Sequence, residues 1–393
     1  MKHACALLVL LIVPCMLFGQ GAWYGGPFTL CVMPNGLLPE ASGIVASRKN
    51  ADVVWLNNDS GDGPKLYALT TRGKHVGTIE LRGAKNIDWE DVAYGPGPVA
   101  GEWYLYAGDI GDNEAKRPSI TVYRIAEPVL SSKSSERILP ASSDAPDVFT
   151  FTYPDGARDA EALIVDPLTQ DIFIITKRER QSRVYRASAP HKAGSSRVLE
   201  FVTALPMSLI TAGDVSADGS KVLLKNYLYA YHWVRKAGEK LSDVFKREAT
   251  RVTYMPEIQG EAICFAAKAD GFYTTSERED GGSPAPIYFY PRVNSAAEAR
   301  KTRDAKIPQI EVEPSADTPG IYTLRYVIPE VSRVEVAVFN AIMMKVIDVA
   351  SESGEAGVQE REIDLIDHPS GQYVAVIRTN QSTVMCPIEH KKP

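Results

Sequence analysis

Ala160-Glu161-Ala162-Leu163-Ile164, a turn at Asp166-Pro167-Leu168-Thr169-Gln170, then Ile172-Phe173-Ile174-Ile175-Thr176-Lys177 reads as two apolar strands joined by a tight polar turn. Asp, Pro and Thr are residues that such turns favour, and the β-branched runs on either side suit buried strands. The same layout recurs. It begins at Ser42-Gly43-Ile44-Val45 and Val53-Val54-Trp55-Leu56-Asn57-Asn58-Asp59, and again at Trp89-Glu90-Asp91-Val92-Ala93 and Trp103-Tyr104-Leu105-Tyr106-Ala107-Gly108-Asp109. Two further copies are Gly213-Asp214-Val215-Ser216 with Val222-Leu223-Leu224-Lys225, and Gly260-Glu261-Ala262-Ile263-Cys264 with Phe272-Tyr273-Thr274-Thr275-Ser276-Glu277.

A third strand with a tyrosine follows each pair, at Tyr67, Tyr123, Tyr185, Tyr231 and Tyr288. Fourth strands are expected near residues 75–81, 148–153, 198–203 and 249–254. The last copy lacks one, and Phe28-Thr29-Leu30-Cys31-Val32 is available to complete it from the N-terminus. Four-stranded units repeated every ~50 to 70 residues describe propeller blades. The expectation is an all-β chain: a five-bladed β-propeller, with six blades as the alternative, followed by a small C-terminal β-sandwich. One large sandwich would explain neither the recurring tyrosine nor the repeated spacing.

The domain plan follows. Residues 1–20 read as a signal peptide: Lys2 and His3 precede a continuous apolar run over residues 6–13, too short to span a bilayer. Residues 21–293 form the propeller, 294–308 a Lys/Arg-rich linker, and 309–393 the C-terminal unit, with few contacts expected across that boundary. The net charge of -6 argues against nucleic-acid binding. Cys31, Cys264 and Cys386 have neither CxxC nor Cys/His metal spacing, and are expected as buried small apolar side chains. A monomer is expected.

Glu90, Glu161 and Glu261 hold one place, the entry of a repeat's first strand, with Ser42 and Gly213 in that place elsewhere. From Ser42 to Asn58, Glu161 to Lys177 and Glu261 to Glu277 the spacing is sixteen residues. In a propeller these positions share one channel face. Asn58, Asp59, Asp109, Asp112, Lys177, Arg178, Lys225, Glu277 and Arg278 are therefore candidate ligand contacts. Converging carboxylates repel unless a cation or a proton intervenes, and oxygen ligands suit Ca²⁺. The three glutamates are the candidate metal ligands; the competing reading has each one capping backbone N–H groups between blades. No nucleophile motif is present and catalytic residues stay unassigned. Two functions stay open. One is a cell-surface module binding a small or carbohydrate-like ligand around a cation. The other is a calcium-dependent hydrolase of a phosphoester or lactone, with Lys177 or Lys225 holding the anion.

Asp88-Trp89-Glu90-Asp91-Val92-Ala93, Asp109-Ile110-Gly111-Asp112-Asn113 and Asp159-Ala160-Glu161-Ala162 resemble a family of uncharacterised bacterial exported propeller proteins. That resemblance implies the fold and no activity. The placement of Glu90, Glu161 and Glu261 is similar, more distantly, to calcium-activated nucleotidases and gluconolactonase-like enzymes. Val334-Glu335-Val336-Ala337-Val338-Phe339-Asn340, Lys345-Val346-Ile347-Asp348-Val349 and Gly371-Gln372-Tyr373-Val374-Ala375-Val376-Ile377 resemble the type IX secretion C-terminal sorting domain. Ala341-Ile342-Met343-Met344 stands where that family usually has a hairpin glycine. The resemblance implies recognition by outer-membrane secretion machinery and a secreted or cell-surface location reached through the periplasm.

Overall fold

The structure is a computed structural model describing residues 23–34, 36–130, 138–139, 145–277, 284–306, 310–328, 331–341, 343–378 and 383–392. The expected signal peptide and Arg278 lie outside the described residues. Among the described residues the chain is all-β apart from two helices, Leu241–Val244 and Ala296–Lys306.

Strands of residues 23–293 pair into small, largely antiparallel sheets that run outward in chain order, except that the outer strands of the last sheet come from the N-terminus. Their innermost strands are Ala41–Ala46, Trp89–Pro96, Ala160–Val165, Ile210–Val215 and Ala262–Phe265. Each touches the next, and the last touches the first. The sheets thus stand radially about a common axis, which is the arrangement of a β-propeller. Apolar side chains fill every gap between neighbouring sheets, including the gap that closes the ring, where Leu38, Ile44 and Leu56 meet Ala262, Cys264 and Ile287.

Closure uses the N-terminal strand. Phe28–Val32 pairs with Pro286–Val293, Phe28 opposite Phe289, so the last sheet gains its fourth strand from the start of the chain. Two otherwise open edges are removed. The recurring third-strand tyrosines serve both packing and turns. Tyr67, Tyr123, Tyr185 and Tyr231 are buried, while the Tyr67 hydroxyl donates to Asp62 and that of Tyr185 to Asp155. Neighbouring sheets approach closely at Gly43, where a Cβ would stand 2.5 Å from the backbone nitrogen of Val92. Cys264 is buried as expected; Cys31 and Cys386 are half-buried, and all three are free thiols.

The stretch expected as a linker is mostly the Ala296–Lys306 helix. Ala, Glu, Arg and Lys are good helix formers. Ser295 Oγ accepts the Glu298 N–H, and Glu298 reaches back to the Asn294 N–H, much as a capping box does. Ala299 is buried, and the Gly26 N–H donates to Thr302 Oγ1, which ties the helix to the start of the propeller.

Residues 310–392 fold into two sheets. Ile310–Pro314, Ile321–Ile328 and Gly357–Asp364 form one; Lys345–Gly354, Ser332–Asn340, Gly371–Arg378 and Thr383–His390 form the other. Their facing sides share a core containing Leu324, Tyr326, Val336, Val338, Ala375 and Ile377. Contrary to the expected sparse boundary, a second buried cluster crosses it. Phe339, Met343, Val374, Val376 and Met385 pack with Tyr227, Leu228 and Ile258 of the propeller. No helix among the described residues is long and apolar enough to cross a membrane.

Candidate functional site

Four of the five innermost strands begin with a bulge. Register slips between Ala41 and Gly43, Trp89 and Asp91, Ala160 and Ala162, and Ile210 and Ala212. The skipped residues are Ser42, Glu90, Glu161 and Thr211. A bulged residue leaves the ladder and its side chain is re-aimed. Glu261 directly precedes Ala262, the first paired residue of its own strand. The ring at the channel entry is therefore Ser42, Glu90, Glu161, Thr211 and Glu261. Thr211 takes the place expected for Gly213, which pairs with Leu224 deeper in the sheet.

A second ring comes from the strand exits. The backbone N–H groups of Asp59, Lys177 and Glu277 donate to the carbonyls of Glu40, Asp159 and Gln259, one equivalent bond in three sheets. Tyr227, sixteen residues after Thr211, completes this ring in the fourth sheet. The spacing that reveals Lys177 and Glu277 also finds Tyr227, once Thr211 is taken as the origin. In the first sheet Ala41 pairs with Asn58, so Asp59 faces the mouth. Asn58 instead braces a loop, donating to the Leu37 carbonyl and to Asp62.

Lys177 is the hub of the mouth. Its Nζ lies 2.8 Å from Glu161 Oε1 and 3.8 Å from Glu261 Oε1. Tyr227 donates to Glu261 Oε1 at 2.7 Å, and its ring stands 5.3 Å from the same ammonium. Burial works against the Lys177 charge, yet Glu161 and Glu261 hold its pKa well above the ordinary lysine range. The three expected metal ligands thus do not converge on one point: a protein ammonium sits between two of them. Among the described residues, the groups of three carboxylates that bring oxygens within 4.8 Å of one another are Asp59, Asp88 and Glu90, and Glu90, Asp159 and Glu161. Glu90 belongs to both groups, and Glu261 to neither. Glu261 Oε2 finds no partner among the described residues.

The acidic charge is under strain. Burial, then Glu161 and Asp59, pushes the Glu90 carboxyl well above its usual range. Burial raises Asp59 to about 7 and Glu161 to about 8. Glu277, which accepts from Gln259 Nε2, rises to about 8 through burial and then Glu261 and Asp59.

The remaining candidates are braces. Asp109 is buried against Arg117 at 2.9 Å and accepts the Asp88 N–H. Asp112 accepts the N–H groups of Lys116 and Arg117, and its own N–H donates to Asp159. Arg178 sits on the rim, paired with Asp159 and Asn113. Lys225 pairs with Ala212 just as Ile175 pairs with Ala162, a core position. It is fully buried, bonded to Thr211 Oγ1 at 3.2 Å and to the Gly260 carbonyl. Burial lowers its pKa to about 8, with Glu257 and Glu261 pulling upward. Neither lysine is free to hold an anion as expected. The inter-sheet capping role belongs to neighbouring aspartates: Asp91 accepts the Leu163 N–H at 2.9 Å, and Asp214 the Phe265 N–H at 2.8 Å. Asp88 and Asp159, each two residues before a ring glutamate, were missed as site residues.

No family model matches the chain, and no curated protein does. Among solved structures it is similar to a putative 6-phosphogluconolactonase from Bacteroides uniformis, at 11% identity and a TM-score of 0.32, covering 84% of this chain and 90% of that one. It is also similar to the Cps50 (Swd1) β-propeller domain of Myceliophteria thermophila, at 10% identity and 0.33, covering 72% and 79%. The Dos1 propeller matches at 8% and 0.31, covering 77% and 92%. These likenesses are too remote to bear on what the chain binds.

Proposed function

We propose that the protein is an exported five-bladed propeller with a C-terminal β-sandwich, binding a small or carbohydrate-like ligand around a divalent cation at the channel mouth. The observation that carries this reading is the position of Glu90 within both carboxylate groups. Five acidic side chains, Asp59, Asp88, Glu90, Asp159 and Glu161, lie side by side there, and the neighbouring ammonium of Lys177 is already taken up by Glu161 and Glu261. Hard oxygen ligands of this kind favour Ca²⁺ or Mg²⁺. The five-blade count is supported by the closed succession of five innermost strands, and the sandwich by the shared core of the two C-terminal sheets. Export through the periplasm, with the C-terminal unit read by secretion machinery, rests on the sequence patterns.

Isothermal titration of the mature protein with CaCl₂ and MgCl₂ tests the cation reading. One saturable site in the unaltered chain, lost in Glu90→Gln and kept in Asp109→Asn, is expected. No heat with either cation in the unaltered chain would end it. With the cation bound, glycan and small-ligand arrays then identify the ligand.

A further inference from the structure

The second C-terminal sheet buries apolar side chains on both faces. Side chains alternate across a strand. Val334, Val336 and Val338, with Tyr373, Ala375 and Ile377, point into the unit's own core. The alternate residues Phe339, Val374 and Val376 belong to the opposite face, where a solvated sheet would be polar. All three are buried, Val374 completely. Their cover is the propeller segment Tyr227-Leu228 together with Ile258.

The hairpin of that sheet fits the same account. Met343 adopts φ 58°, a left-handed conformation that is unfavourable for a residue with a Cβ. Glycine would remove that cost but would leave the contact unfilled. Met343 is instead 6% exposed, within the cluster that holds Tyr227 and Leu228. Met343 at this turn is explained by what it covers.

Tyr227 is also a member of the channel ring. Its hydroxyl is on Glu261 and its ring beside the Lys177 ammonium. We propose that the C-terminal unit is a fixed wall of the channel mouth: by burying Tyr227 and Leu228 it holds the tyrosine on Glu261 and shields Lys177. Met343 and Leu228 are then positioning residues, acting through Tyr227. The proposal rests on the reading of the mouth as the ligand site, but its test requires no ligand.

Full-length protein is treated with sulfosuccinimidyl acetate, and acetylation of each lysine is followed by peptide mass spectrometry. Met343→Asp and Leu228→Asp place a charge in the contact from opposite sides. Each is expected to speed Lys177 acetylation about tenfold by local opening, whereas Met343→Leu behaves as the unaltered chain. Lys225, sealed between sheets, reports on the propeller itself and stays protected throughout. Unchanged Lys177 labelling in both Asp variants would overturn the proposal. So would a parallel rise at Lys177 and Lys225, which would mean a loosened propeller. Absence of Ca²⁺ binding in the unaltered chain would defeat the cation reading and leave this contrast to be decided by the labelling.

Discussion

Lys177 Nζ donates to Glu161 Oε1 at 2.8 Å with both side chains more than nine-tenths buried. Removing one partner of such a pair leaves an uncompensated charge in the interior, whereas removing both does not. Lys177→Met is therefore expected to destabilise the propeller by about 3–5 kcal/mol. The double variant Lys177→Met/Glu161→Gln should recover part of that loss. Urea unfolding, read as midpoint at constant slope, checks both.

A cation bound only by the folded chain adds stability by mass action. At a free Ca²⁺ concentration of 100 times Kd the gain is about 2.7 kcal/mol. Melting curves should rise with Ca²⁺ and fall back with chelator. Glu90→Gln, which breaks both carboxylate groups at once, should abolish the response. Glu277→Gln should leave it in place, since Glu277 belongs to neither group.

Asp91 joins two sheets, accepting the Leu163 N–H at 2.9 Å and the Val92 N–H at 2.8 Å within the core. Asp91→Ala strands both donors, and each buried orphan costs about 1–3 kcal/mol. Asp91→Asn keeps an acceptor oxygen and should cost less. Denaturant midpoints of the two variants give the order.

His232 is buried between the rings of Tyr24 and Phe265, with Nε2 finding no partner among the described residues. Burial, then Lys221 and Arg292, lowers its pKa from 6.5 to about 4. Its neutral form therefore belongs to the fold. The stability it contributes is complete above pH 6.5 and is lost as pH falls through 4. The linked loss is at most roughly 3 kcal/mol over that span. His232→Phe should flatten the acid limb of the stability profile between pH 6.5 and 4, with little change at pH 8. An unaltered acid limb in this variant would assign the acid sensitivity elsewhere.

The strand pairs, the closing strand Phe28–Val32 and the positions of Glu90, Glu161 and Glu261 were legible in the sequence. All of them follow from local properties: apolar periodicity, turn residues and a repeated spacing. Register across a bulge is not local. One residue leaves the ladder at the entry of four of the innermost strands, and that shift put Thr211 where Gly213 was expected, brought Tyr227 to the mouth and sealed Lys225 in the core. The carboxylate grouping depends on neighbouring sheets meeting, so Asp88 and Asp159 joined the ring glutamates only in three dimensions. Charge balance was decided there too: Lys177 reaches Glu161 within its own sheet and Glu261 from another, and takes the place a cation would have had between them. In the C-terminal unit, alternation marked the strands, but Val374 and Val376 read simply as part of an apolar run. Only the packed structure shows that such a run has two faces to bury, one in its own core and one on the propeller.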